Sequence, residues 1–192
     1  MTNKILILFV LLIVAPKSGA CQKDQQMFLA PDNWNSERLE FPLSFAPTLD
    51  LVGFEDIRFS PDWADSTKQG FWTYTFVWVN EKPYELSETN LIESMEAYFD
   101  GLMGLDPEKV KYSKDKDKTA CVMAKSAYGF HGKIITHDAF FTKKELVLFV
   151  RLKEIKCDKS SKQYVLFELS PKAYTHEIWR IFEDVKLITE CD

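Results

Sequence analysis

The sequence predicts an α+β fold, in which an antiparallel β-sheet carries one long helix after an aromatic strand and one C-terminal helix packed on it. Three observations lead to this prediction. The second half of the chain has successive segments rich in β-branched and aromatic residues, and short polar turns between them force antiparallel pairing. A helical repeat of apolar residues follows Ser87, and a second such repeat closes the chain.

The N-terminus has the layout of a secretory signal peptide. Lys4 supplies a positive charge, Ile5 to Ala15 form an unbroken apolar run, and small residues close the segment at Ala20. The apolar run is shorter than the ~20 residues that a membrane-spanning helix needs. We therefore expect residues 1–20 to be removed and the protein to be exported, as a periplasmic protein or a membrane-anchored lipoprotein of a bacterium.

Cys21 follows the expected cleavage point directly, at the position that receives lipid in bacterial lipoproteins. Ser18 stands where that motif commonly has leucine, so lipidation of Cys21 and a lipid-free protein both remain open. A lipid on Cys21 is the one route by which we expect the chain to reach a membrane. The other cysteines are Cys121, Cys157 and Cys191. Several pairings are open, and we favour Cys157 with Cys191, because that disulfide would pin the chain's end to the end of a strand.

The charge balance argues against a nucleic-acid partner. The 192-residue chain has a formal net charge of −5, and removal of residues 1–20 takes away Lys4 and Lys17 but no acidic residue, which leaves −7. Nucleic-acid binding depends on clustered lysine and arginine. Hydrophobic residues make up 46% of the chain, which is ample for a packed core. We expect a polar tether over residues 21–38, a single α+β domain over residues 39–192, and a monomer.

The first half of the domain predicts two strands and an extended segment. Residues 39–50 include two prolines, which suit an extended stretch at a sheet edge. Residues 54–59, FEDIRF, alternate between the two faces of a strand, and residues 60–70 form a loop. The aromatic stretch GFWTYTFVWVN at residues 70–80 predicts a strand over residues 71–79.

The long helix is predicted from its start, its stripe and its end. Ser87 is a favourable N-cap, Gly101 and Gly104 offer alternative stops, and Pro107 prevents the helix from continuing. The apolar residues that recur at helical spacing are Leu91, Met95, Tyr98, Phe99 and Leu102. The acidic side chains Glu93, Glu96 and Asp100 are expected to form a solvated face.

The second half predicts a strand meander and a terminal helix. The strands are expected at residues 119–125, 132–141, 146–155 and 164–169. Thr175 is the expected N-cap of a helix that runs through Val185. Its inward face is predicted to consist of Ile178, Ile181, Phe182 and Val185.

The aromatic strand allows two interpretations. By parity, Trp72, Tyr74, Phe76 and Trp78 share one face, and buried aromatics of this size would form a large share of a core. We favour this core, with Thr73 and Thr75 on a half-solvated opposite face. The alternative is a ligand-binding surface made by Trp72, Tyr74 and Trp78 together with Trp63, because buried indole N–H groups need partners.

The sequence has none of the common catalytic or cofactor motifs. It lacks a P-loop, a G-x-G-x-x-G, a G-x-S-x-G and an H-E-x-x-H. His131 and His137 share a strand face but are separated by about 20 Å of strand, His137 and Asp138 point to opposite faces, and His176 lies in the first turn of the last helix, so no histidine site is predicted. Asp62 and Asp65 form the best cluster of oxygen ligands, but two aspartates fall short of a calcium loop, and a turn is the favoured interpretation. No catalytic residue, metal or cofactor is therefore predicted.

Three motifs resemble a family of uncharacterised exported bacterial proteins. They are FPLSFAP at residues 41–47, GFEDIRFSP at residues 53–61 and FWTYTFVW at residues 71–78, which are similar to FP-x-x-FAP, EEIRFAP and FW-x-Y-x-FVW stretches in that family. This resemblance implies export and no known activity. The order of the elements is also similar to the PsbP/Mog1 type of α+β sandwich, whose members are mostly non-enzymatic binding or assembly factors.

Three functional hypotheses follow. The first is an exported, non-catalytic binding or assembly factor of the cell envelope with a protein partner. The second is a carrier that holds a small apolar molecule or lipid between helix and sheet, beside Trp72, Tyr74 and Trp78, which requires a cavity of about 300 Å³ or more. The third is a hydrolase, which requires a histidine close to Asp62, Asp65 or a serine in a cleft.

Overall fold

The chain forms an α+β structure around a seven-stranded antiparallel sheet, seen in a computed structural model that describes residues 27–105 and 118–189. The spatial order of its strands is β2-β3-β4-β8-β7-β6-β5, and β1 pairs separately with β9. The elements are β1 Phe28–Leu29, β2 Asn35–Glu40, β3 Gly53–Phe59, β4 Tyr74–Asn80, α1 Glu88–Leu102, β5 Ala120–Ser126, β6 Gly129–His137, β7 Glu145–Ile155, β8 Gln163–Ser170, a C-terminal 3-10 helix Glu177–Asp184 and β9 Lys186–Leu187.

Helix α1 begins and ends where the sequence predicts. The Ser87 side chain accepts a hydrogen bond from the Asn90 backbone N–H, which satisfies one of the free donors at the helix start. Gly104 has φ 67°, a conformation that suits glycine and ends the helix. The helix buries Leu91, Ser94, Met95, Tyr98 and Phe99.

The sheet is covered on both faces. Helix α1 packs on the inner face, where Phe76 of β4 stacks on Tyr98 at 5.8 Å between ring centroids and on Phe167 of β8 at 4.5 Å. The two ends of the chain pack on the outer face, where Phe28 and Val185 join a cluster with β4 and β8 residues. A sheet buried on both faces has no half-solvated side, so both faces of its central strands read as apolar or small.

Two expectations about the outer face are wrong for this reason. Thr73 and Thr75, expected on a half-solvated face, are 0% and 2% exposed. The Thr73 hydroxyl lies 2.9 Å from that of Ser170, and the Thr75 hydroxyl donates to the Phe167 carbonyl at 2.6 Å. Residues 22–38 were expected to be irregular, but Phe28 lies in β1 and residues 35–38 lie in edge strand β2. Of the extended segment expected at 39–50, residues 39 and 40 belong to edge strand β2, and β6 spans 129–137 rather than the expected 132–141.

The C-terminal helix is a 3-10 helix and packs on the face opposite α1. Its N-cap is His176, whose Nδ1 accepts a hydrogen bond from the Ile178 backbone N–H, and not Thr175 as predicted. Trp179, Phe182 and Val185 are buried, three residues apart. A 3-10 helix has three residues per turn, so this spacing forms its inner stripe and leaves Ile178 and Ile181 only half-buried.

Helix α1 also protects the β5 edge of the sheet. Glu96 and Asp100 were expected to be solvated, but they accept hydrogen bonds from backbone N–H groups of β5 and the residue before it. Twelve helical residues rise about 18 Å and six strand residues about 20 Å, so the two elements stay in register. The pairs run antiparallel: Glu88 Oε1 with Lys125 N at 2.9 Å, Glu96 Oε1 with Cys121 N at 3.0 Å, and Asp100 Oδ1 with Thr119 N at 2.7 Å.

Replacing Glu96 with alanine should lower the free energy of unfolding by about 1–2 kcal/mol, because the Cys121 N–H loses a charged acceptor at a partly buried edge. Urea unfolding measures the loss. Glu93→Ala is the matched control, since it removes the same charge from an exposed position of the same helix and should change stability by less than about 0.5 kcal/mol. Equal losses in the two variants would show that the edge contact contributes nothing.

Two cysteines lie within the described residues. Cys157 is disulfide-bonded, whereas Cys121 is a free, buried thiol whose pKa is raised to about 12 by burial and by the nearby Glu96 carboxylate. Cys191, the partner that we favour for Cys157, lies outside the described residues, as do Cys21 and the predicted signal peptide over residues 1–20. Within the described residues, no helix is both long and apolar enough to cross a bilayer.

Candidate functional site

A cavity of about 380 Å³ lies between strands β2–β4, the C-terminal half of α1 and three loops. We call it the aromatic cavity, because seven of its twelve lining residues have aromatic rings. Helix and sheet meet here with loop residues between them, so the side chains do not close the gap as they do farther along the sheet. The lining residues are Glu37, Leu39, Ser44, Phe45, Ile57, Phe59, Trp63, Trp72, Tyr74, Tyr98, Leu102 and Phe140.

Four of these rings form a closed cycle of contacts. The centroid of Phe59 is 4.4 Å from that of Trp63 and 5.8 Å from that of Tyr74. The centroid of Trp72 is 5.9 Å from that of Trp63 and 6.1 Å from that of Tyr74. Each ring is therefore held by two others at the distances of favourable aromatic pairs. The cavity wall is rigid and apolar on this side.

Trp72 has an uncommon backbone conformation. Its φ is 49°, in the left-handed region that a bulky side chain rarely adopts. The backbone N–H of Trp72 donates to the Trp63 carbonyl at 2.9 Å, which holds the turn in place. Strand β4 consequently begins at Tyr74 and not at residue 71 as predicted. The turn places the Trp72 indole beside Trp63, at the wall of the cavity.

Two polar atoms of the cavity wall have no hydrogen-bond partner within the described residues. They are Nε1 of Trp72 and the hydroxyl of Tyr74, in side chains that are 2% and 3% exposed. A buried donor without a partner costs about 1–3 kcal/mol of stability. Both atoms are covered by their neighbours, so the two unsatisfied groups lie inside the wall and not on the surface that faces the cavity.

A buried carboxyl group lies behind the cavity wall. Tyr98 donates from its hydroxyl to Glu55 Oε1 at 2.8 Å, and Trp78 donates from Nε1 to Glu55 Oε2 at 2.8 Å. Burial, which outweighs these two hydrogen bonds, raises the pKa of Glu55 to about 7, and the Glu37 charge adds to the rise. Burial and the Glu55 charge raise the pKa of Tyr74 well above its usual value, so Tyr74 stays protonated.

The loop after β6 carries Phe140 to the rim of the cavity. Asp138 is fully buried and accepts from the backbone N–H of Phe140 and of Phe141, each at 3.0 Å, and from that of Thr142 at 2.8 Å. Although burial raises the pKa of Asp138, these hydrogen bonds lower it overall. Phe140 is 48% exposed, and its ring centroid lies 6.0 Å from that of Trp72. Asp138 is thus a positioning residue for the rim.

The predicted ligand-binding residues divide into two groups. Trp63, Trp72 and Tyr74 line the aromatic cavity. Trp78 is fully buried, does not line the cavity and satisfies its indole N–H with Glu55, so its place among the ligand-binding candidates is corrected. Phe76 and Trp78 therefore belong to the core, whereas Trp72 and Tyr74 form part of the cavity wall.

Sequence reasoning missed most of the remaining wall. Phe59 and Ile57 share a strand face with Glu55, a parity that the segment FEDIRF already contained. Phe140 follows an aspartate that has a threonine four residues later, which is the pattern of an aspartate-capped turn. The approach of the loop residue Phe45 to Tyr98, at 5.2 Å between ring centroids, depends on tertiary packing and had no local signal.

The segment of Asp62 and Asp65, which the sequence offered as its best cluster of oxygen ligands, forms a turn. Asp65 accepts from the backbone N–H and the hydroxyl of Thr67, and these hydrogen bonds lower the pKa of Asp65. This is the turn that the sequence favours for the segment. No group of three or more histidine, cysteine, aspartate or glutamate side chains in residues 27–105 and 118–189 is placed to hold a metal ion.

Comparison with known proteins adds no relative. No protein-family model matches the chain, and no curated protein or solved structure resembles it at a significant level. The similarity of its three motifs to exported bacterial proteins, and of its element order to the PsbP/Mog1 type, stay predictions. Function is therefore inferred from the cavity itself.

Proposed function

We propose that this protein is a non-catalytic binding protein that holds one small, largely apolar ligand in the aromatic cavity. The observation that carries this proposal is the aromatic cavity itself, which has a volume of about 380 Å³ and aromatic rings on seven of its twelve lining residues. Ligand sites are typically apolar concavities with a few polar groups that fix orientation.

The size and lining of the cavity support a small molecule. Its volume of about 380 Å³ is near the lower end of the ~300–1,000 Å³ range of ligand pockets. At ~30 Å³ per non-hydrogen atom, as in liquid water, the cavity holds about 13 such atoms. That is enough for a bicyclic ring or a medium chain. A two-chain lipid could place only part of one chain inside.

A catalytic function has less support. No histidine, cysteine or lysine is among the described residues that line the cavity. Glu55 has a pKa suited to general-base catalysis, but it is fully buried and both its oxygens accept hydrogen bonds from Trp78 and Tyr98. A base must reach the proton that it removes, and Glu55 does not line the cavity.

The assembly-factor hypothesis also has less support than the ligand-binding one. A protein-docking surface would offer a continuous exposed apolar patch. Among the large apolar side chains that are exposed in the described residues, Val122 and Ile135 are diagonal neighbours on the paired strands β5 and β6, whereas Leu29, Phe140 and Tyr174 lie on three other segments. Phe140 among them already belongs to the cavity rim. Its exposure is explained by access for a ligand as well as by a partner.

The predicted signal peptide places this binding function outside the cytoplasm. We propose that the mature protein acts in the bacterial envelope, with a lipid on Cys21 as the route to membrane attachment. Mass measurement of the denatured protein from its own host tests both points. A chain that starts at Cys21 and carries the extra mass of acyl chains would support the anchored form, and an intact residue 1 would overturn the export proposal.

Native mass spectrometry of the mature protein, purified gently from its own host, tests ligand binding. We expect an adduct that is released on denaturation. Ser44→Trp should abolish it, because Ser44 is exposed at the cavity lining and a bulky indole there would block entry. Thr48→Trp is the matched control, since it adds the same side chain to an exposed site of the same loop away from the cavity, and it should keep the adduct.

Two outcomes would contradict the proposed function. One is a wild-type protein of bare mass that also fails to bind any small apolar compound when these are added. The other is an adduct that survives Ser44→Trp unchanged, because the ligand would then lie at a different place. Urea unfolding of the two tryptophan variants checks that each is folded before its mass spectrum is compared.

A further inference from the structure

We propose that the outer face of the sheet carries a second binding site, in which Arg58 holds the carboxylate group of a small organic acid. The site is a cavity of about 470 Å³ between residues 30–34 and the outer face of β2 and β3, which we call the outer-face cavity. It goes beyond the proposed function, because the aromatic cavity lies on the other side of the same strands. Glu37 is the residue that the described linings of the two cavities share.

Arg58 lines the outer-face cavity with half of its hydrogen-bonding capacity unused. The residue is 7% exposed, and its Nη1 donates to Asp56 Oδ1 and to the Ile57 carbonyl, the latter at 2.6 Å. The other two nitrogens, Nε and Nη2, donate to no group of the described residues. One edge of the planar guanidinium is therefore anchored to strand β3, whereas the opposite edge has no acceptor there.

The unused edge of Arg58 is open to the cavity. Among the described residues, the buried side-chain atoms that lack a partner belong to Trp72, Tyr74 and Asn80, so Nε and Nη2 of Arg58 are not sealed inside the protein. The rest of the Arg58 side chain is covered, and the residue lines the outer-face cavity. An acceptor bound in the cavity can consequently reach these two nitrogens.

The geometry of this edge selects a carboxylate. The Nε–H and the Nη2–H of an arginine point the same way and match the two oxygens of a carboxylate, which accept from both in a bidentate pair. The guanidinium is charged at every physiological pH, so each of these hydrogen bonds is charge-assisted. A primary amide offers one oxygen and directs its own NH₂ donors toward the same edge. It would therefore form a weaker contact than the acid.

The charges of the lining favour a ligand with a single negative charge. Arg38 donates to Asp56 Oδ2 from Nη2 at 2.8 Å and from Nε at 3.2 Å, so two arginines share one buried carboxylate and leave one excess positive charge. Asp32 and Glu37 also line the cavity, but they are exposed and water screens them. A dianion such as phosphate would meet more repulsion from this acidic rim.

The remaining lining suits a small apolar body. Trp34 is half-buried and lines the cavity together with Ala30 and Pro31 of the same segment. At ~30 Å³ per non-hydrogen atom, a volume of about 470 Å³ holds about 16 such atoms. A carboxylate on a single ring or a short chain fits this space. The site is thus suited to a small aromatic or aliphatic acid.

A matched set of compounds tests the ligand class. Phenylacetate, phenylacetamide and 2-phenylethylamine share one ring and differ in their charge, and inorganic phosphate supplies a dianion without a ring. NMR titration of the mature protein at neutral pH and ~0.15 M salt gives the affinities. We expect phenylacetate to bind at least ~10-fold more tightly than each of the other three. The Arg58 Nε–H proton should shift on addition of phenylacetate, since it gains an acceptor.

Two pairs of variants locate the site. Arg58→Met removes the donors and keeps an apolar side chain, and it should lower the affinity for phenylacetate at least ~10-fold. Arg180→Met is the matched control, because it removes the same charge from an exposed position outside the cavity, and it should leave the affinity unchanged. Ser36→Trp fills the outer-face cavity from an exposed position and should abolish binding, whereas Ser44→Trp blocks the aromatic cavity and should preserve it.

The outcomes separate this inference from the proposed function. Phenylacetate binding that is lost in Ser44→Trp and kept in Ser36→Trp would place the acid in the aromatic cavity and overturn the second site alone. The inference also fails if 2-phenylethylamine or phosphate binds most tightly, if Arg58→Met binds as the wild type does, or if phenylacetate does not bind at millimolar concentration. None of these results bears on an adduct held in the aromatic cavity, which the native mass spectra test.

Discussion

Replacing Asp56 with alanine is expected to lower the free energy of unfolding by about 3–5 kcal/mol. Asp56 is 3% exposed and lies between two arginines on the outer face of β3. Its Oδ1 accepts from Nη1 of Arg58, and its Oδ2 accepts from Nη2 of Arg38 at 2.8 Å and from Nε of Arg38 at 3.2 Å. The variant would leave the buried Arg58 charge without its carboxylate, which is the costly way to break an ion pair.

Urea unfolding at neutral pH measures this loss, and a double variant identifies its cause. Arg58→Met added to Asp56→Ala removes the stranded charge and keeps an apolar chain over Phe28, which the guanidinium covers at 5.3 Å from the ring centroid. The double variant should regain most of the lost stability. A single variant that loses less than about 1 kcal/mol would mean that Arg58 finds another partner.

Strand β3 connects this ion pair to the cavity. Asp56 and Arg58 face the chain ends, whereas Ile57 and Phe59 line the aromatic cavity on the other side of the same strand. β3 is the second strand of the sheet, held between edge strand β2 and β4. The outer-face ion pair therefore fixes the strand that presents Phe59, one of the four rings of the aromatic cycle. A strand that slipped by one residue would exchange the two faces.

Local patterns predicted the elements whose own residues determine them. The α1 helix had its cap at Ser87, its apolar stripe and its stop at Gly104, and all three are confirmed. Strand β7 alternates between buried and partly exposed residues, whereas β8 is buried on both faces, and both strands agree with prediction to within one residue at each end. The antiparallel order of the meander followed from turns too short for a crossover.

Features set by tertiary contact escaped the sequence. In the sequence, Trp72 continues the alternation of β4, so parity assigned it to that strand. This assignment is wrong, because Trp72 lies in a turn with positive φ before the strand begins. The burial of Thr73 and Thr75 involves strand β8, which is distant in sequence and supplies their hydrogen-bond partners. Glu96 and Asp100 looked solvated because a helical repeat cannot show that a strand edge lies beside it.

The candidate site was half predictable. Trp63, Trp72 and Tyr74 were selected because buried indoles need hydrogen-bond partners, and they do line the cavity. The same reasoning also selected Trp78, but its indole N–H donates to Glu55 on the neighbouring strand. Parity already placed Glu55 beside Ile57 and Phe59 on an apolar face. A carboxyl group on an otherwise apolar strand face indicates, from the sequence alone, that a hydrogen-bond partner is buried beside it.

That carboxyl group should make the protein less stable as pH rises. The pKa of Glu55 is raised from 4.5 to about 7 in the folded protein, chiefly by burial. The folded state therefore binds more protons than the unfolded state between these values, and the free energy of unfolding falls as pH increases through that interval. The full loss from this group is about 3 kcal/mol above pH 7. Below pH 4.5 the group carries its proton in both states.

Glu55→Gln should remove this dependence. Glutamine resembles the protonated acid: its oxygen accepts from Trp78, and its amide can donate to the Tyr98 hydroxyl. Urea unfolding of both proteins at pH 5 and pH 8 should show that the variant gains about 3 kcal/mol relative to the wild type between the two. Glu37→Gln is the control, since it removes an exposed charge that only adds to the shift of Glu55, and its effect should be much smaller.

The test compares how the free energy of unfolding changes with pH in Glu55→Gln and in the wild type. Other groups that titrate in this range are the same in both proteins, so their contributions cancel in the difference. Parallel curves for Glu55→Gln and the wild type would mean that Glu55 is ionised in the folded state at pH 5. Its charge would then be stabilised by Tyr98 and Trp78 more strongly than burial penalises it. Curves that diverge as pH rises would instead establish a carboxyl that ionises near neutrality, one hydrogen bond behind the cavity wall. Tyr98 would then gain a negative charge behind its hydroxyl as pH rises, so that the site becomes less favourable to an anion.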